Sequence, residues 1–292
     1  MSSKADLPLM MILTHGRPER VHTYDSLRRQ GYTGRICILI DNEDKMRAEY
    51  ERKFGDQVYV FDKIAEAKRT DAGDNFPHRK AIVYARNASF KAAKDLGYRY
   101  FVQLDDDYTK YRYRFNHRMA FASGEELIEV KNMDAVTRAL QKFYEESGAV
   151  AMSISQGGDF IGGAGNNYIK DGWHLKRKCM NFWFCDTEKP FAFMGHMNED
   201  CTAYVLHGLR GGLFFHVPLI ELTQMPTQKT AGGMTDVYLE SGTYVKTFYT
   251  VLAAPSCTKI NTVCPSSGRI HHNIKWNNAC PKIIDEKWRK AA

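Results

Sequence analysis

Short apolar runs, each closed by polar or charged residues, recur through the first hundred positions. Leu9–Leu13 reads L-M-M-I-L, Arg35–Ile40 reads R-I-C-I-L-I, and Gln57–Phe61 is a third run of the same kind. Runs of this length bounded by turn residues predict buried strands. Between them the segment leading to about Gln30 carries helical periodicity, and Lys45–Phe54 reads as a charged helix. This β-loop-α-β alternation predicts a parallel sheet with right-handed crossovers. Lys63–Arg79 is polar, is broken by Gly73 and Pro77, and reads as an irregular loop. Lys80–Leu96 follows as a helix with a small apolar face at Ile82, Val83, Ala85 and Ala88. Further on, Lys110–His117 alternates aromatic and basic residues as a strand does. Asp134–Glu146 is an amphipathic helix, and Val150–Ser155, Pro190–Met194 and Leu213–Val217 are strand-like. Cys201–His207 is a helix ending at Gly208.

One run differs in how it ends. Tyr100–Tyr108 reads Y-F-V-Q-L-D-D-D-Y, a buried-strand pattern passing directly into three carboxylates. Ligands of open α/β sheets bind outside the carboxyl ends of strands. Alternation turns Asp105 and Asp107 to one side and Asp106 to the other. Three adjacent carboxylates repel one another, and two of them together with phosphate oxygens make a hard-cation site suited to Mg²⁺ or Mn²⁺. A solvated acidic turn is the plainer alternative.

Other polar groups are expected on the same rim. Thr14 and Arg17 follow the first strand, Asp41 ends the second, and Arg86 lies on the helix before the acidic strand. Arg17 suits a phosphate or carboxylate, Asp41 a nucleobase N–H, and Arg86 a diphosphate or base. Each also has a plain structural reading, as a helix-entry arginine, a helix N-cap and an exposed helical arginine. Glu199 and Asp200 stand at a helix N-terminus, where the macrodipole stabilises an ionised carboxylate that could act as a base. His216 could add a nitrogen ligand or be a structural strand histidine. Lys229 and Thr230 are candidate phosphate contacts. The glycine-rich stretch after Gln156 matches neither a P-loop nor the dinucleotide fingerprint.

Composition narrows the class without deciding it. The chain has 292 residues, 43% of them hydrophobic, with a net charge of +7 and seven dispersed cysteines. That size holds one large core or two modest ones. No long apolar segment or signal-peptide core is present, so no membrane contact is expected and the cytoplasm is the expected compartment. The odd, scattered cysteines do not form a disulfide framework or a zinc clip. The mild basic excess permits a polyanionic partner. Basic residues interleaved with aromatics at Lys110–Arg114, and the clusters Lys176–Lys178 and Lys282–Lys290, are candidate phosphate contacts. An edge strand protected by charge explains the first of these equally well.

A nucleotide-binding half, a metal-binding acid cluster and a second carboxylate at a helix start together suit sugar transfer from a nucleotide-sugar. L-D-D-D at 104–107 resembles the D-x-D motif of GT-A-fold glycosyltransferases, and N-E-D at 198–200 their x-E-D motif. The chain also resembles the TET-associated glycosyltransferases, mostly phage-encoded. That likeness is carried by N-E-D-C-T-A-Y (198–204), Q-M-P-T-Q-K-T-A-G-G-M-T (224–235), G-T-Y-V-K-T-F-Y (242–249) and I-H-H-N-I-K-W (270–276). The resemblance implies a single α/β domain of GT-A-like fold, with a mixed, mostly parallel central sheet flanked by helices. Within it, 9–107 would bind the nucleotide, 108–255 the acceptor, and 256–292 would extend over the site. It implies a UDP-sugar donor, Mn²⁺ or Mg²⁺, and DNA carrying a hydroxymethylated pyrimidine, 5-hydroxymethylcytosine foremost. It casts Asp107, Asp105 and His216 as metal ligands. Thr14, Arg17, Asp41, Arg86, Asp105, Asp106 and Lys229 would be donor contacts, with Asp200 as base for an inverting displacement and Glu199 as its neighbour. A glycosyltransferase acting on a protein or glycan hydroxyl, a nucleotidyltransferase and a non-catalytic DNA-binding module are the alternatives. The last fits the acid cluster poorly.

Overall fold

A computed structural model of the chain describes residues 7–76, 78–122, 126–156, 179–225, 245–264 and 269–279. The first half alternates strand and helix as its pattern predicts: β1 (Leu9–Leu13), α1 (His22–Arg29), β2 (Ile36–Asp41), α2 (Arg47–Phe54), β3 (Val58–Phe61), α3 (Lys63–Ala67), α4 (Val83–Asp95) and β4 (Tyr100–Asp105). Then come β5 (Tyr108–Tyr113), β6 (Ile128–Glu129), α5 (Met133–Ser147), β7 (Ala151–Gln156), β8 (Phe182–Asp186), α6 (Glu199–Leu209) and β9 (Phe214–Gln224). Residues 245–253 form α7. A hairpin of β10 (Thr258–Cys264) and β11 (Arg269–Ile274) and a short α8 (Trp276–Ala279) follow.

Nine strands make one sheet in the order β3-β2-β1-β4-β8-β7-β9-β5-β6. Its first four strands are parallel, as is the β7–β9 pair; the remaining pairings are antiparallel. This is the mixed α/β sheet flanked by helices that a GT-A-like fold requires. The apolar runs are continuous because both faces of the sheet are covered. Leu9, Met11 and Leu13 enter one core with Val83 of α4 and Val205 of α6. Met10 and Ile12 enter the other with Leu27 of α1, Tyr50 of α2 and Leu140 of α5. Phe101, Val102 and Leu104 of β4 are wholly buried. At about 1.5–3 kcal/mol for each side chain, their burial holds the acidic strand end in place.

The strand order fixes where a ligand belongs. From β1 the chain crosses to β2 and β3 on one side, then returns to β4 on the other. A crevice opens at such a switch point, outside the carboxyl ends of the two strands. Leu13 and Asp105 are register partners there.

Two expectations need correction, and one strand is new. Pro190–Met194 is not a strand, because Asn87 of α4 bonds both Phe193 N–H and Phe193 C=O, and Phe191 and Phe193 pack on Trp183. The loop expected at Lys63–Arg79 begins with α3, capped by the Asp62 carboxylate, which accepts from Ala65 N–H at 3.0 Å. β8 went unpredicted although it inserts between β4 and β7. The segment expected to extend over the site includes the β10–β11 hairpin. Among the described residues no helix is long and apolar enough to cross a membrane.

Candidate active site

Thr23 holds the acidic turn together. Its hydroxyl donates to the Asp105 carbonyl at 2.6 Å and accepts from Tyr108 N–H at 2.9 Å, while its own N–H donates to the Asp106 carbonyl at 3.1 Å. The three acids then separate as strand alternation requires. Asp106 is buried and accepts from the Thr14 hydroxyl at 2.6 Å and from Arg17 Nε at 2.7 Å. Thr14 and Arg17 are thus engaged with an internal carboxylate. Burial works against the Arg17 charge, but Asp106 more than offsets it and raises the guanidinium pKa.

Asp105 faces the other way, toward Arg86. Arg86 Nη2 donates to Asp105 at 3.2 Å and Nε donates to Glu199 at 2.9 Å. Sequence reasoning sends this arginine to the donor. Here it is buried and bridges the D-x-D strand end to the N-terminus of α6. The surrounding residues explain why. Tyr84, Arg86 and Asn87 of α4 grip the 193–199 segment in order: Asn87 on the Phe193 backbone, the Tyr84 hydroxyl on His196 at 2.7 Å, and Arg86 on Glu199. Buried Gln103 of β4 donates to the Arg86 carbonyl at 3.1 Å and to the Ser89 hydroxyl at 2.7 Å, fixing α4 on the sheet.

The acids hold more negative charge than the nearby cations offset. Burial, then Asp105 and Asp106, pushes the Asp107 carboxyl up to about 7. Burial does the same to Glu199, raising it to about 7 with help from Asp200 and against Arg86. Asp105 and Asp106 are also raised, burial being the largest cause. A divalent cation would relieve this excess. No three His, Cys, Asp or Glu side chains among the described residues are grouped to hold one. His216 therefore does not complete a ligand set with Asp105 and Asp107. It is buried beside β7, its Nδ1 3.2 Å from the Ser153 hydroxyl. Two carboxylates remain, which fits Mg²⁺ or Mn²⁺ held mainly by phosphate oxygens and water.

A family model described as TET-Associated Glycosyltransferase matches residues 9–233, well over half of the chain. The chain belongs to that family. It is therefore a glycosyltransferase, an enzyme that moves a sugar from an activated nucleotide-linked donor to an acceptor. A solved structure titled as that of a mycobacterial protein is similar over 93% of this chain and 84% of its own, at 12% identity and a TM-score of 0.49. A likeness at that level carries no argument. No curated protein matches the chain.

In this TET-associated glycosyltransferase Asp41 is buried at the second strand end. Its carboxylate takes His15 Nδ1 at 2.7 Å, Lys63 Nζ at 3.3 Å and Glu43 N–H at 3.0 Å. Those partners outweigh burial and hold it below the ordinary carboxylate range. The half-exposed His15, which sequence reading passed over, is the side chain Asp41 presents to the rim. His272 belongs to a histidine pair that sequence reading gave no site role. β11 carries it to the start of α6, with Nδ1 3.1 Å from Asn198 Nδ2 and Nε2 3.4 Å from Cys201 Sγ. Nothing in an adjacent histidine pair announces this, since a long-range hairpin makes the contact. Asn198 has a left-handed backbone (φ 55°), and its side-chain amide also donates to the Lys246 carbonyl of α7 at 2.7 Å. Lys229, Thr230 and the clusters at 176–178 and 282–290 lie outside the described residues. A cleft of about 600 Å³ opens beside α3 and α4, lined among others by Tyr59, Ile64, Arg69 and Lys91. None of its lining residues belongs to the acid cluster.

Proposed function

We propose that this glycosyltransferase moves a sugar from a UDP-sugar to the hydroxymethyl oxygen of a modified pyrimidine in DNA, 5-hydroxymethylcytosine foremost, with inversion at the anomeric carbon. The observation that carries this reading is the division of four acids by Arg86. Asp105 and Glu199 pair with that cation, one from each motif. Asp107 and Asp200 do not, and remain at the same end of the sheet. Asp200 lies close enough to Asp105 and Arg86 to act on the charge of both.

In this reading Asp107, with Asp105 beside it, holds Mn²⁺ or Mg²⁺ against the donor diphosphate, where a cation supplies charge neutralisation of the leaving group. Asp200 takes the proton of the acceptor hydroxymethyl group. The bond from that oxygen to C1 of the sugar forms as the bond from C1 to the diphosphate oxygen breaks, and the electron pair leaves on UDP. Glu199, tied to Arg86, positions the turn. Asp106, Thr14 and Arg17 fix the strand end, while His15 and Asp41 face the nucleotide.

Hydroxymethylated DNA is incubated with enzyme, Mn²⁺ and a panel of UDP-sugars, and its nucleosides are resolved by mass spectrometry. A hexose- or pentose-shifted hydroxymethylpyrimidine is expected. Asp200→Asn should lower that yield by about 10²–10⁴-fold while donor binding persists. Sugar appearing only on protein or glycan hydroxyls would overturn the DNA acceptor.

A further inference from the structure

An aromatic ladder rises from the start of the x-E-D turn to the surface. The Phe76 and His78 rings stack at 5.6 Å and 18°, and His78 packs on His196 at 5.1 Å. Tyr84 meets His196 edge-on at 5.9 Å. The inner end is buried, His196 being three residues before Glu199 and four before Asp200. Phe76 at the outer end is 46% exposed. His78 Nδ1 is buried with no hydrogen-bond partner, so stacking defines that ring's surroundings.

The loop presenting Phe76 is fixed at many points. Phe76 N–H donates to Asp74 at 2.8 Å, and the same carboxylate takes His196 Nδ1 at 2.8 Å and the Tyr249 hydroxyl. Gly195 N–H and His196 N–H donate to the Asp71 and Ala72 carbonyls, each at 2.9 Å. The backbones approach closely because residues 73 and 195 are glycines at positive φ. A Cβ on Gly73 would lie 3.4 Å from Gly195 Cα. A phenyl ring left in water, on a segment bonded to Gly195 and His196 and with exposed Lys80 four residues on, has the properties of a stacking surface.

We propose that Phe76, backed by His78, is a platform on which an unstacked base of the acceptor strand lies during transfer. This rests on the DNA reading above and adds how the acceptor is held. A base hydroxymethyl group within a duplex must be exposed for chemistry, and a displaced base needs a new π-face to rest on. The ladder's inner end, His196, opens the turn that carries Glu199 and the proposed base Asp200, and the Tyr84 that holds it lies on the same helix as the Arg86 that holds Glu199, which puts the platform on the acceptor side. Among the described residues of the loop, Arg79, paired with Glu43, is the tie toward the strand ends that face the nucleotide.

The test measures steady-state transfer to hydroxymethylated DNA by wild type, Phe76→Ala, Phe76→Leu and Phe76→Trp, together with fluorescence of 2-aminopurine placed beside the target. Phe76→Ala should raise the DNA KM roughly ten- to a hundred-fold and relieve 2-aminopurine quenching, Phe76→Leu should do nearly the same, and Phe76→Trp should restore both. Full rescue by leucine, an unchanged DNA KM, or a rise confined to the donor KM would overturn the platform alone. No transfer to such DNA by wild type would overturn the acceptor reading and the platform with it.

Discussion

Asp107 is a residue whose charge the fold leaves unbalanced. Its carboxyl is raised to about 7, against an ordinary value of about 3.9. The folded protein therefore keeps a proton that the unfolded chain releases between about pH 4 and pH 7. Stability from this group falls as pH rises through that window and is level above it. Asp107→Asn removes the penalty. Without metal, the variant should melt higher than wild type at pH 8, by about 2 °C, and alike at pH 4. Mn²⁺ should raise the wild-type melting temperature at pH 8, because it binds the ionised form, and leave the variant unmoved. Calorimetry with and without Mn²⁺ checks both. Arg86 is the complementary case. Arg86→Met should cost about 3–5 kcal/mol, since it strands Asp105 and Glu199 as buried acids. Adding Glu199→Gln should recover part of that loss, and urea unfolding of the single and double variants measures the coupling.

At the scale of elements, α1 and α4 set the positions of the site's acids. α1 supplies Thr23, whose hydroxyl closes the acidic turn by two hydrogen bonds. Thr23→Val keeps the shape and leaves a carbonyl and an N–H in the turn without that partner. It should lower stability by about 2 kcal/mol and weaken Mn²⁺ stabilisation, as thermal melts with a metal titration would show. α4 supplies Tyr84, Arg86 and Asn87, of which sequence reasoning sent Arg86 to the donor. Their spacing does put them near one another on the helix, but what they meet depends on a segment more than a hundred residues later. The failed strand at Pro190–Met194 has the same cause. Its apolar pattern is real, yet Asn87 occupies the backbone groups a sheet ladder would need.

For the whole molecule, the basic residues do not all face outward as the net charge of +7 suggests. Arg114 is buried, and it and Arg112 both pair with buried Glu221 across β5 and β9. Arg114→Ala should therefore lower the melting temperature, while exposed Lys110→Ala should leave stability alone. If Lys110 contacts a phosphate, its loss reduces the slope of log affinity for DNA against log salt by about 1, measurable by fluorescence anisotropy. The strands of the first half, the acid run at the end of β4 and the x-E-D helix start are legible in the sequence, because period and strand length are local properties. The same local logic separates Asp106 from Asp105, since alternation needs only one strand. The partners of those acids were not legible. Arg86 on Asp105 and Glu199, His272 beside Asn198, and His216 turned to Ser153 join residues 19 to 113 positions apart. No local pattern encodes such a pairing. The chain by itself determined which residues carry charge and where the strands of the first half lie. Only packing of the helices on both faces of the sheet decided which charges neutralise one another, because burial makes an unpaired charge too costly to leave alone.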